Sequence, residues 1–89
     1  MKVVILYRPK SEQARAVETF VHDFENRHPD AKIELVNIDE REGLALASLY
    51  DVMRFPAIMV LATDGVLQQL WQNDPLPLMD EVASYLQHR

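Results

Sequence analysis

The stretch Tyr50-Asp51-Val52-Met53-Arg54-Phe55-Pro56, running directly into Ala57-Ile58-Met59-Val60-Leu61-Ala62, decides how this chain folds. Pro56 has no N–H to give to a ladder and disfavours the α region for Phe55, so the helical pattern upstream must stop before it. Val52 to Phe55 therefore reads as a connecting loop. Ala57 to Ala62 is apolar throughout, too short for another helix and apolar on both alternating faces, which predicts a strand covered on both sides. Asp64-Gly65 tolerates the positive φ of a tight hairpin, so Val66 to Trp71 returns as an antiparallel partner. Gln68, Gln69 and Gln72 mark that strand as a partly exposed edge. Trp71 is expected to be half-buried on it.

Working upstream, Glu40 to Asp51 predicts a helix with Leu46, Leu49 and Tyr50 on its buried side. Lys32 to Asp39 predicts a strand with Ile33 and Leu35 on one face and Val36 and Ile38 on the other. Lys2 to Tyr7 is a continuous apolar run after its first residue, as a central strand requires. Between these strands Val17, Phe20, Val21 and Phe24 form an i, i+3, i+4, i+7 stripe. Ser11 is placed to cap that helix, with Glu12 in its first turn, and His28-Pro29-Asp30 stops it. Strand, helix and strand within about forty residues make a βαβ unit with a right-handed crossover. Downstream, a last helix is expected to open at Asp74 with Pro75 and Pro77 in its first turn. Met79, Val82, Ala83 and Leu86 would be its buried stripe. The order βαβ-α-ββ-α predicts an α/β domain spanning residues 1–89, a four-stranded mixed sheet of order 2-1-3-4 with helices on both faces.

Composition narrows the chemistry. With 48% apolar residues and only two glycines among 89, the chain is expected to be globular and ordered. It contains no cysteine, which removes disulfides, a thiolate nucleophile, zinc knuckles and iron–sulfur ligation. A net charge of −5 argues against general nucleic-acid binding, which needs a basic footprint. The apolar run at the N-terminus is too short for a signal h-region or a membrane span. No membrane association is expected, and a cytoplasmic location is the default. His22 and His28 lie off the i, i+4 spacing of a helical metal pair, and His88 is near the C-terminus. Asp39, Glu40 and Glu42 read as a solvated loop and helix start, so neither a metal nor a cofactor is expected.

The element order and the local sequence resemble the thioredoxin and glutaredoxin core. Tyr50 to Pro56 resembles the segment leading into that family's cis-proline, followed by the strand from Ala57 and the turn Thr63-Asp64-Gly65. Asn37-Ile38-Asp39 resembles the end of its second strand, and Tyr7-Arg8-Pro9-Lys10-Ser11 the glutaredoxin approach to the active site. The resemblance implies a cis Phe55–Pro56 bond, although ordinary X–Pro bonds are cis only ~5–6% of the time. It also implies that Phe55 offers backbone groups to an extended peptide. Where glutaredoxins carry Cys-x-x-Cys, this chain has Ser11-Glu12-Gln13-Ala14. A serine hydroxyl has no comparable acidity and forms no disulfide, so thiol–disulfide oxidoreductase activity is excluded and no catalytic residue is assigned.

Two surfaces of function remain to weigh. Arg8, Lys10, Arg15 and Arg54 are expected to gather around the first helix's N-terminus, where N–H groups and the helix dipole favour an anion. With Tyr7, Ser11, Phe55 and Pro56 they form the candidate binding set, and the expected ligand is an extended or anionic segment of a protein partner. The alternative is glutathione or another small anion. The resemblance implies it because glutathione transferases use a Tyr or Ser near the end of the first strand, where Tyr7 and Ser11 stand. Against it, no Glu-Ser glutathione motif follows Asp64-Gly65, and the helical second domain of those enzymes is absent from these residues.

Overall fold

In the computed structural model, which describes residues 1–72 and 76–86, the apolar run Lys2–Tyr7 is strand β1 and every residue after Lys2 is buried. It is central because both of its edges are used. The elements that follow are α1 (Ala14–Arg27), β2 (Ile33–Asn37), α2 (Arg41–Leu49), β3 (Ala57–Leu61), β4 (Leu67–Gln72) and α3 (Met79–Leu86). The sheet order is β2-β1-β3-β4. β1 runs parallel to β2 from Val3↔Ile33 to Tyr7↔Asn37, and antiparallel to β3 from Lys2↔Leu61 to Leu6↔Ala57. β4 closes the antiparallel side against β3. This is the four-stranded mixed sheet of order 2-1-3-4 expected from the sequence.

The period of two along the strands divides the core into two layers. Val3, Ile5 and Tyr7 of β1 and Ile58 and Val60 of β3 meet Val17, Phe20, Val21 and Phe24 of α1 and Val82 and Ala83 of α3. Val4, Leu6, Ala57, Met59 and Leu61 face the other way, toward Val36, Ile38 and Val52, with Leu46, Ala47 and Tyr50 laid over them. Burial of a large side chain such as Phe24, which is fully enclosed, contributes about 2–3 kcal/mol.

Three local features differ from the sequence expectation. Ser11 does not cap α1. Its hydroxyl donates to the Arg8 carbonyl at 2.7 Å, closing the turn after β1, and the helix starts later, with Gln13 at the N-cap and no side-chain cap bond. In α2 the inward stripe is Gly43, Leu46, Ala47 and Tyr50, so Leu49 points outward and is 71% exposed. Gly43 sets that rotation: a Cβ there would strike the Asn37 carbonyl and lie 2.8 Å from Ile38 Cα, so only glycine lets α2 close onto the end of β2. Finally, α3 begins at Met79, after Pro77, where the Leu78 N–H donates to Glu81 Oε1 at 2.9 Å, half of a capping box. Asp74 and Pro75, expected at its start, lie outside the described residues, as does His88.

A bulge between Val60 and Leu61 skips Gln68 in the pairing. It places Leu67 and Leu70 on the same face, both against the α2 layer. α2 ends in a Schellman turn: the Val52 N–H reaches the Ala47 carbonyl at 2.8 Å and the Asp51 N–H reaches that of Ser48 at 3.3 Å. Asp51 occupies the left-handed position with φ 57°. That turn releases the chain into Met53-Arg54-Phe55, and the Phe55–Pro56 bond is cis. Among the described residues, no helix is long and apolar enough to cross a membrane.

Candidate functional site at the end of the central strand

β1 delivers Tyr7 and Arg8 to one end of the sheet, the turn 8–11 folds Ser11 back over them, and the segment entering β3 brings Phe55 and Pro56 alongside. These five residues and Gln13 line one shallow cleft of about 50 Å³, room for only a few water-sized groups. The cleft lies outside the carboxyl end of the central strand, where open α/β sheets place ligands. Lys10, Arg15 and Arg54, the rest of the candidate set, do not line it. Each is exposed on an element that borders it: the turn before α1, the first turn of α1, and the loop before Pro56.

The four basic residues are not equivalent. Arg8 Nε donates to Asp39 Oδ1 at 3.1 Å, linking the loop after β1 to the loop after β2. Both partners are more than half exposed, so the pair adds little stability. Lys10, Arg15 and Arg54 form no ion pair among the described residues. The start of α1 strengthens the positive character. No acidic residue stands in its first turn. The Ala14 N–H bonds the Ser11 carbonyl and the Val17 N–H that of Gln13, which leaves the Arg15 and Ala16 N–H groups without a partner among the described residues. Helix N-terminal amides of this kind favour an anion.

Gln72 holds the backbone before Pro56. Gln72 Oε1 accepts from the Met53 N–H at 2.9 Å and from the Arg54 N–H at 3.2 Å. No hydrogen bond to the Phe55 N–H or C=O is formed among the described residues. In the sequence Gln72 signals only edge polarity, and this anchor leaves no mark there. Gln69 gives the same signal, yet its Nε2 donates to the Tyr85 hydroxyl at 2.8 Å on α3. Trp71 is half-buried and meets the Tyr85 ring edge-on, with centroids 5.8 Å apart. Gln13 gave no signal beyond its position beside Ser11.

Burial pushes the Tyr7 phenol above its ordinary value, and the Glu18 carboxylate on α1 adds to the rise. The shift runs away from neutral pH, so the hydroxyl stays protonated there. Asp39, Glu40 and Glu42 do not converge, and no group of three metal-ligating side chains occurs among the described residues.

Sheet order and the two helix-covered layers together define a thioredoxin-like fold. Solved structures agree. The chain is similar to thioredoxin 1 of Thermosipho africanus TCF52B, with a TM-score of 0.74 and 15% identity over 97% of this chain and 94% of that one. It is similar to thioredoxin O2 of Arabidopsis thaliana, at TM-score 0.71 and 16% identity over 96% and 70%. It is also similar to mitochondrial thioredoxin 3 of Saccharomyces cerevisiae, at 0.70 and 14% over 93% and 73%. No protein-family model and no curated protein sequence matches the chain. The likeness is one of fold, carried by a chain with no cysteine.

Proposed function

We propose that this chain is a non-redox docking module that holds an extended, anionic segment of a protein partner across the Phe55–Pro56 end of the sheet. The observation that carries the reading is the Phe55 backbone. Its N–H and C=O lack a partner among the described residues, while Gln72 fixes the two residues before it. An extended segment pairing there gains main-chain hydrogen bonds, as in strand addition. The amides of Arg15 and Ala16, without a partner among the described residues, and the exposed side chains of Lys10, Arg15 and Arg54 supply complementarity to carboxylates on the segment. A shallow cleft suits this use, because affinity comes from the backbone and the charged rim rather than from an enclosed volume.

Glutathione, itself a short anionic peptide, is the small-ligand form of the same reading, and Tyr7 and Ser11 lining the cleft favour it. The Ser11 hydroxyl is already donated to Arg8, and burial and the Glu18 carboxylate raise the Tyr7 phenol and so weaken it as a donor, so neither favours a thiolate. The larger segment is therefore preferred.

The test is affinity capture from a lysate under reducing conditions with wild type, Arg54→Glu and Phe55→Asp, alongside a glutathione titration followed by amide shifts. A partner retained by wild type and lost by both variants supports the docking module. Equal retention by both folded variants overturns the site. Saturable shifts at Tyr7, Ser11 and Phe55 with glutathione alone would move the reading to the small ligand.

A further inference from the structure

A second cavity lies at the other end of β1, roughly 17 Å from the Phe55–Pro56 cleft by strand rise. It is an open groove of about 1000 Å³ between the start of β1, the turn from α1 to β2, and the end of α3. That volume is at the upper end of small-molecule sites. Ala31, Ile33 and Leu86 line it, half-buried and packed against the α1–α3 core layer; they form an apolar floor. Charged side chains form its rim.

The rim selects a sign. Three cations, Lys2, Arg27 and Lys32, stand against two carboxylates, Asp30 and Glu34, on a chain whose net charge is −5. Lys2 and Glu34 neutralise one another across 2.8 Å. Arg27 and Lys32 make no ion pair among the described residues. The turn between them is closed by the Ala31 N–H donating to the His28 carbonyl at 2.9 Å, and the His28 ring lies on Phe24, centroids 4.8 Å apart. Arg27 and Lys32, without an ion pair among the described residues, thus flank a turn that carries the single carboxylate of Asp30 above an apolar floor.

We propose that this groove binds a soluble amphiphilic monocarboxylate, its apolar body on Ala31, Ile33 and Leu86 and its carboxylate between Arg27 and Lys32. A small inorganic anion would leave the floor unused, and a cationic amphiphile would meet Arg27 and Lys32 head on. The site is independent of the docking surface at the opposite end, and either can fail without the other.

The probe is octanoate below its micellar range, titrated into the isotopically labelled chain, with octylammonium and 1-octanol as sign and neutral controls. Saturable amide shifts confined to Ala31–Glu34 and Leu86 are expected. Arg27→Gln or Lys32→Gln should each weaken binding about two- to fivefold, the size of a partly exposed charge contact. Both substituted residues are exposed, so the fold is retained. Non-saturating shifts, shifts centred on Phe55, equal binding of octylammonium, or an Arg27→Gln/Lys32→Gln double variant that binds like wild type would overturn the proposal.

Discussion

At the carboxyl end of β1 the chain is tied in from several directions: Gln72 anchors Met53 and Arg54, Ser11 closes onto Arg8, and Arg8 reaches Asp39. At the amino end the surrounding elements stop short of one another and leave the groove of about 1000 Å³. The well-tied end has only the shallow cleft of about 50 Å³, yet it presents the Phe55 N–H and C=O and the Arg15 and Ala16 amides of α1, none of which is bonded among the described residues. The loosely closed end has volume and an apolar floor, with side chains rather than backbone at its rim. Cavity size alone would therefore name the wrong end for a docked chain. An extended segment needs unpaired main-chain groups held rigidly, whereas a small amphiphile needs an apolar floor beside a charged rim.

The largest blow to the tied end should come from Gly43→Ala. The new methyl meets the Asn37 backbone, which cannot swing aside like a flexible side chain, so a loss of about 3 kcal/mol is expected in urea unfolding. A loss below about 0.5 kcal/mol would show that α2 can back away freely. Gln72→Ala should cost about 0.5–1 kcal/mol by handing the exposed Met53 and Arg54 amides to water. Hydrogen exchange at those two amides should quicken while Ile33 and Glu34, beside the groove, stay unchanged. Equal quickening at both ends would break the contrast.

Asp51→Gly works in the other direction. With φ 57° at Asp51, glycine relieves a left-handed position and should add about 0.5–1 kcal/mol, whereas Asp51→Val should subtract at least as much. Tyr7 supplies a pH-gated effect. Its folded pKa is raised above the ordinary 10.0, so the unfolded chain releases this proton first as pH climbs. The contribution is intact below pH 10.0 and is lost as pH rises through the folded value. Tyr7→Phe should remove that part of the alkaline loss, and an unchanged alkaline slope would show that the phenol is not shielded by burial.

Much of the fold was legible because its signals are local and repeated. The double-faced run Lys2–Tyr7, the stripe Val17-Phe20-Val21-Phe24 and the turn at Asp64-Gly65 each admit one secondary structure, and together they leave one economical sheet order. What escaped depends on contacts distant in sequence. Leu49 was expected inside because it is apolar, but the approach of Gly43 to Asn37 rotates α2 and turns Leu49 out. Ser11 has the side chain of a cap, yet its hydroxyl is taken by Arg8, so α1 starts after Gln13. Gln68, Gln69 and Gln72 look alike in the sequence; one sits at a bulge, one binds Tyr85 and one holds the Phe55 loop. Of the candidate binding set, Tyr7, Arg8, Ser11, Phe55 and Pro56 share a cleft because strand ends fix them. Lys10, Arg15 and Arg54 only border it, since long exposed side chains take positions that spacing does not dictate. The groove had no sequence signal, because its shape depends on where separate elements end.

The docking account is tested most directly by hydrogen exchange on the chain alone and with an extended peptide selected against it from a random display library under reducing conditions. The account predicts new protection at the amides of Phe55, Arg15 and Ala16, lost with Arg54→Glu, and no change at Ile33 or Glu34. Protection centred on the groove, or a peptide held equally well by Arg54→Glu and Phe55→Asp, would contradict it.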